Sequence, residues 1–204
     1  GFFSSWGRKD PMRGVSTYDM GEDVATAVAP GYSWSSDVTI SAKFMVDTFI
    51  KTPMTYYEDK GKVWVNTDGS TITDLWNGKT KTMNDPCPAG YRLPSNEENT
   101  TLATDNGISL TAKASSAPGD TSYTDNWSGA NHTFTFGPVV YPLGGAYVFG
   151  GGMVTTYGDC GRYCSSSYNK TTNAFWVNIN ATAYNVNNSG ALTQGGMARC
   201  IKIK

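Results

Sequence analysis

The stretch from Leu75 to Glu98, LWNGKTKTMNDPCPAGYRLPSNEE, constrains this chain more than any other. Cys87 stands between Pro86 and Pro88. Each proline fixes its own φ and pushes the residue before it toward extended geometry, so the cysteine sits in a rigid turn. Gly90-Tyr91-Arg92-Leu93-Pro94 then runs straight to Ser95, with Glu98 three residues on. That spacing is a capping box, and it predicts a helix from Asn96 to about Thr104, stopped by Asp105-Asn106-Gly107.

Around this staked turn the composition favours β structure. The chain has 204 residues, room for one large domain with a core of its own over 1–204. It is rich in Gly, Asn, Ser, Thr, Tyr and Trp and poor in strong helix formers, a mixture that suits strands joined by polar loops. Net charge is −1 with only 16 % charged residues, which leaves neither a basic face for nucleic acid nor an acidic tail. Residues 137–158 are uncharged but broken by glycine and two prolines, so glycine-punctuated strands fit them better than a membrane helix. The start, Gly1-Phe2-Phe3-Ser4-Ser5-Trp6, has no basic leader and reads as a cut inside a longer protein.

Four cysteines, Cys87, Cys160, Cys164 and Cys200, allow three connectivities, and spacing does not choose among them. Two bridges imply an oxidising, extracytoplasmic location; one bridge with a free or metal-binding pair is the other arrangement. A Cys87–Cys200 link would close a loop worth roughly 4–5 kcal/mol in the chain-entropy account.

Strand signals recur along the chain. Val38, Ile40, Ala42, Phe44 and Val46 alternate, although a helix over 41–50 also fits. Tyr56–Val65 suggests a strand and turn, and 108–136 breaks into short polar segments. Val139–Tyr141, Ala146–Phe149, Ala174–Ile179 and Ala198–Ile203 are expected to form one sheet. No fixed internal period is present.

These pieces resemble a known family. Trp6-Gly7-Arg8-Lys9-Asp10-Pro11, Leu75-Trp76-Asn77-Gly78 and Asp85 through Pro94 are similar to landmarks of a C-terminal domain in Bacteroidetes-type fimbrial and other surface proteins. Gly144-Gly145-Ala146-Tyr147, Gly161 through Ser167 and the closing Ala198-Arg199-Cys200-Ile201-Lys202 extend the likeness, which matches the Fibrobacter major paralogous domain pattern. The resemblance implies an α+β, C-type-lectin-like fold: two short helices, a small twisted antiparallel sheet and long irregular loops that carry a binding surface. It also implies Cys87–Cys200 as the family bridge. The family often has Trp where Cys164 stands, so a local Cys160–Cys164 bridge would replace that packing. It has an aromatic shortly after the capping acid, where this chain has Asn99.

The chemistry-bearing residues are few. His132 has no Ser elbow near it and reads as a surface or strand-edge residue. Asp120, Asp125 and Asn126 read as a solvated loop, and the calcium-lectin sugar signatures are missing. Cys160-Gly-Arg-Tyr-Cys164 could grip a soft metal, as in the copper-dependent formylglycine-generating enzymes that share this fold. Those enzymes have four residues between the cysteines and an Arg-Tyr-Arg-like run after them, whereas here there are three and Ser165-Ser166-Ser167. The prediction is therefore no catalytic residue, no metal and no cofactor.

The segment 163–194 is the expected working surface. Tyr163, Trp176, Asn178, Asn180, Tyr184 and Asn185 combine aromatic plates with amide donors and acceptors, which suits a sugar or protein ligand. Strand alternation would bury Phe175, Val177 and Ile179 and present Trp176, Asn178 and Asn180, with Tyr184 beside them. The function so implied is a non-catalytic, adhesin-like binding domain of a bacterial cell-surface or fimbrial tip protein, extracellular or attached to the outer membrane. Through the 140–195 loops it would recognise a glycan, a host or bacterial surface protein, or a neighbouring fimbrial subunit, with neither nucleic acid nor membrane insertion. A structural module that caps or assembles a pilus is the alternative reading.

Overall fold

The computed structural model describes residues 2–5, 7, 9, 12–13, 33–35, 51–52, 54–57, 75–107, 127–128, 133–136, 139–148, 153–155, 160–169, 173–180, 183–191 and 195–204. The alternation over 38–46, His132, Asp120, Asp125 and Asn126 lie outside them, as does most of 56–65.

The fold is α+β and dominated by sheet. In chain order the elements are β1 (Phe2–Ser5), β2 (Met12–Arg13), β3 (Ser33–Ser35), β4 (Thr55–Tyr57), β5 (Tyr91–Arg92) and the helix α1 (Asn96–Asp105). There follow β6 (Trp127–Ser128), β7 (Thr133–Phe136), β8 (Val139–Pro142), β9 (Ala146–Val148) and β10 (Met153–Thr155). The chain closes with β11 (Cys160–Asn169), β12 (Asn173–Asn180), β13 (Ala183–Ala191), β14 (Gly195–Met197) and β15 (Ile201–Lys202). Two helices were expected; α1 is the one helix that lies wholly within the described residues.

The main sheet has eight strands in the order β10-β9-β14-β11-β12-β13, with β1 on β14 and β2 on β1. Its pairs are antiparallel except β11 with β14, which run parallel. The sheet is therefore larger than the small sheet expected. Three further sheets accompany it: β6-β7-β8, β5-β15 and the parallel pair β3-β4. The four segments expected in one sheet are thus divided. Residues 146–148 and 174–179 enter the main sheet, 139–141 turns back on β7, and 201–202 pairs with β5. Gly144 and Gly145 separate β8 from β9, so those two strands diverge into different sheets.

The Cys87 turn is organised by one buried carboxylate. Asp85 is 1 % exposed; its Oδ1 accepts from Cys87 N at 2.8 Å and its Oδ2 from Leu93 N at 3.0 Å. Lys81 Nζ stands 3.2 Å from Oδ1 and also donates to the Cys87 carbonyl. The turn thus delivers Cys87 to Cys200, and the two form a disulfide 113 residues apart in sequence. Trp76, 1 % exposed, donates Nε1 to the Asn84 carbonyl at 2.9 Å and backs the same turn.

The capping box forms as the spacing predicts. Glu98 N donates to Ser95 Oγ at 3.2 Å, and Ser95 N donates back to Glu98 Oε2 at 2.8 Å. Arg92 locks the box from outside, Nη1 to Oε2 at 2.7 Å and Nη2 to Oε1 at 2.6 Å. Gly78 passes so close that a Cβ there would lie 2.8 Å from Ser95 Cβ, so only glycine fits beside the cap. The helix start is pinned to β11: Ser166 N and Oγ both donate to Pro94 O, at 2.9 and 3.1 Å, and Asn96 N donates to Ser167 Oγ at 3.0 Å. These serines lie where the β11–β12 register shifts, between Cys164 and Tyr168.

The helix buries Asn99 and Ala103, one turn apart, toward the sheet. Ala103 joins Phe134, Tyr141, Leu143, Tyr163, Val177, Ile179, Tyr184 and Val186 in the larger core cluster of the described residues. No described helix is long and apolar enough to cross a membrane.

Candidate functional site

β11, β12 and β13 lie side by side, and their registers decide which residues share a face. Tyr163 faces Val177, and Ile179 faces Tyr184. Those side chains, with Val186, point into the core. By alternation the intervening residues take the other face. Arg162, Asn178 and Asn185 stand abreast across the three strands, with Cys160 and Asn180 paired in the adjoining row.

All five side chains are half-buried. Cys160 Sγ donates to Asn178 Oδ1 at 2.9 Å, tying two of them together. Asn185 Oδ1 accepts from Asn187 N at 2.9 Å. That local turn sits where β13 slips past β12, between the Trp176–Asn188 and Asn178–Asn185 pairs. Burial pulls the Arg162 pKa below its ordinary value, opposed by the Cys160 and Cys164 thiols. The row thus offers amide donors and acceptors, a cation and a thiol at fixed spacing. Amides do not titrate, so this chemistry suits recognition of a polar ligand.

Not every expected site residue belongs to this surface. Asn178, Asn180 and Asn185 do. Trp176 shares their face, as alternation requires, but it is 0 % exposed and cannot meet a ligand. Its indole reaches across β11 to lie against the β14 backbone at Gly196. Tyr184, 1 % exposed, lies on the opposite face. It packs within 5.8 Å of the Phe134 ring and meets Tyr141 edge-on at 6.3 Å. Tyr163 is also core: its ring meets Tyr141 at 4.9 Å and its hydroxyl donates to the Pro142 carbonyl. Burial raises the Tyr163 pKa, so it stays a neutral phenol. Phe175, expected inside, is half-buried.

The cysteine pairing divides in the same way. Cys87 and Cys200 are bonded, while Cys160 and Cys164 are not joined to each other. Both lie on β11 in unbroken one-to-one register with β12, from Cys160–Asn180 to Cys164–Trp176. Four residues of extended strand put their Cα atoms about 13 Å apart, far beyond the roughly 4–7 Å a disulfide spans. The same separation keeps the two thiols from closing on a single ion. The Cys164 thiol is 1 % exposed and lies 3.2 Å from both the Ser4 and Gly196 carbonyls. Burial raises its pKa, so it persists as a thiol.

Arg162 was missed in the sequence. Its place is legible only in the alternation of Cys160, Arg162 and Cys164, once β11 is known to be a strand. Among the described residues no three His, Cys, Asp or Glu side chains are grouped to hold a metal. The chain matches no family model, no curated protein and no solved structure.

Proposed function

We propose that this chain is a non-catalytic binding domain of C-type-lectin-like architecture, carried extracellularly on a bacterial cell-surface or fimbrial tip protein. The observation that carries the reading is the Cys87–Cys200 disulfide. It ties the Asp85–Pro94 turn to the Arg199-Cys200 segment, two of the stretches that carry the likeness to Bacteroidetes-type surface domains. A bridge of this kind persists in oxidising surroundings outside the cytoplasm. The row Arg162, Asn178 and Asn185, with Asn180, is the surface through which the domain meets a glycan or a surface protein.

The test is a glycan array probed with disulfide-intact protein, with calcium and with chelator. Saturable binding that is lost in the Asn178→Ala/Asn185→Ala double variant, with unchanged thermal unfolding, supports the reading. Binding that survives the double variant removes this face as the site. A blank array with folded protein removes the glycan and leaves a surface protein or a neighbouring subunit as the partner.

A further inference from the structure

The main sheet ends in β13, which pairs with β12 and with no other described strand. Every second residue of such an edge turns its backbone N–H and C=O outward. β13 runs nine residues, roughly 30 Å, whereas the other margins, β10 and β2, have three and two. Edge strands of this length are normally guarded by lysine, by proline or by a bulge. AYNVNNSGA holds neither charge nor proline, and its one guard is the extra residue between the Trp176–Asn188 and Asn178–Asn185 pairs. Beyond that bulge the register is regular: Asn188, Ser189, Gly190 and Ala191 stand against Trp176, Phe175, Ala174 and Asn173.

The side chains leave this half of the edge open. Ser189 is exposed, and Phe175 across from it is half-buried, on the face that carries Val177 and Ile179. Ser189 and Gly190 are too short to screen the ring. An apolar side chain from a strand outside β13 would pass over Ser189 and reach it. The bulge itself is occupied: Asn187 N donates to Asn185 Oδ1 at 2.9 Å, and Asn187 Oδ1 accepts from Asn96 Nδ2 at 3.2 Å. α1 therefore meets β13 at the bulge, before the regular half begins.

A second copy of this chain suits the edge poorly. Two bulged edges meeting about a two-fold axis set extra residue against extra residue. Four paired residues also cover far less than the roughly 1,200 Å² that a stable interface buries. A single extended segment follows the bend and needs no second rigid body.

We propose that the edge of β13 at Asn188–Gly190 receives an added strand, an extended segment of another protein whose apolar side chain crosses Ser189 to cover Phe175. Main-chain hydrogen bonds supply the affinity and the Phe175 contact the selectivity. The inference does not need the row of Arg162, Asn178 and Asn185: that row is a set of side chains on the opposite face, and the edge is a line of backbone groups.

Nine-residue peptides of random sequence, displayed on phage, are panned against the full, disulfide-intact chain. The tightest is synthesised unmodified and in two forms, each N-methylated on one set of alternate amides. Backbone amides of Asn188–Gly190 in the 15N-labelled chain should shift saturably. One methylated form should bind about tenfold or more weaker and the other like the parent peptide, because only one set of amides faces β13. Ser189→Glu sets a charge beside the ring at an exposed position, and should weaken binding about tenfold at unchanged thermal unfolding. Phe175→Ala should weaken it similarly; if that variant fails to fold, Ser189→Glu carries the test. Shifts centred on Arg162 and Asn178 would assign the peptide to the row and overturn this site. So would the absence of any enriched peptide, parent-like binding of both methylated forms, or binding unchanged in Ser189→Glu. Slow hydrogen exchange at every amide of 188–190 in the free protein would show the edge already filled, and would overturn it too.

Discussion

Gly196 lies flat against the indole of Trp176. A Cβ built on Gly196 would sit 2.9 Å from Cζ3 and 3.0 Å from Cε3, with the Arg162 carbonyl oxygen also at 3.0 Å. The backbone of β14 is therefore itself a wall of the tryptophan slot. Although its alternation suits a surface residue, Trp176 is 0 % exposed.

Gly196→Ala should destabilise by about 1–3 kcal/mol, because a rigid ring and a backbone carbonyl cannot both move aside. Denaturant unfolding should show a lower midpoint at unchanged slope. A midpoint equal to that of the parent would mean that the ring is free to shift. Trp176→Ala should cost about 3–5 kcal/mol as a core truncation. Loss of ligand in that variant is consequently no measure of binding.

Reducing Cys87–Cys200, or replacing Cys87 by Ser, should cost about 2–5 kcal/mol, since the bridge closes a long loop in the unfolded chain. Alkylation of the native, unreduced protein should modify Cys160 well ahead of Cys164, whose thiol is buried and raised in pKa. Both thiols should react after unfolding. Peptide mapping that finds Cys160 bonded to Cys164 would contradict the extended β11.

The Arg92–Glu98 pair makes a pH prediction with a definite sign. The hydrogen bonds from Arg92 hold the Glu98 carboxyl below its ordinary range, with those from Ser95 adding to the effect. A depressed folded-state pKa stabilises above the ordinary carboxylate value, and that stability is lost as pH falls through the folded value. Because Glu98 is 38 % exposed, the contribution is screened to under about 1 kcal/mol. Glu98→Gln should flatten the acid limb of a stability-against-pH curve and leave the alkaline limb unchanged.

Asp85→Ala should be the most damaging change in the Cys87 turn. It strands the buried N–H groups of Cys87 and Leu93 and removes the partner of Lys81. A loss of about 3 kcal/mol or more is expected, read as a fall in Tm. Formation of Cys87–Cys200 during oxidative refolding should slow as well, because Asp85 holds the turn that presents Cys87. Refolding at the parent rate would show that the flanking prolines suffice.

What local chemistry dictates was legible in the chain itself. Pro86 and Pro88 restrict the backbone around Cys87, and Ser95 and Glu98 satisfy the first N–H groups of α1. These effects act within a few residues, so the turn and the helix from Asn96 to Asp105 lie where the sequence places them. Alternation likewise placed Trp176, Asn178 and Asn180 on one face of β12. The strands β11 and β13 were hidden, because Ser, Asn and Gly carry no apolar rhythm in CGRYCSSSYN and AYNVNNSGA. Their neighbours across the sheet, not their own side chains, make them strands.

Burial and pairing were settled only by distant parts of the chain. Trp176 is fully buried with its ring against β14, twenty residues on, while Asn178 on the same face keeps some access to solvent. Asn99 is enclosed because α1 docks on the serines of β11, which no local pattern announces. Sequence determines what each segment can form by itself. Exposure depends on what packs over a residue, and that is decided by long-range register.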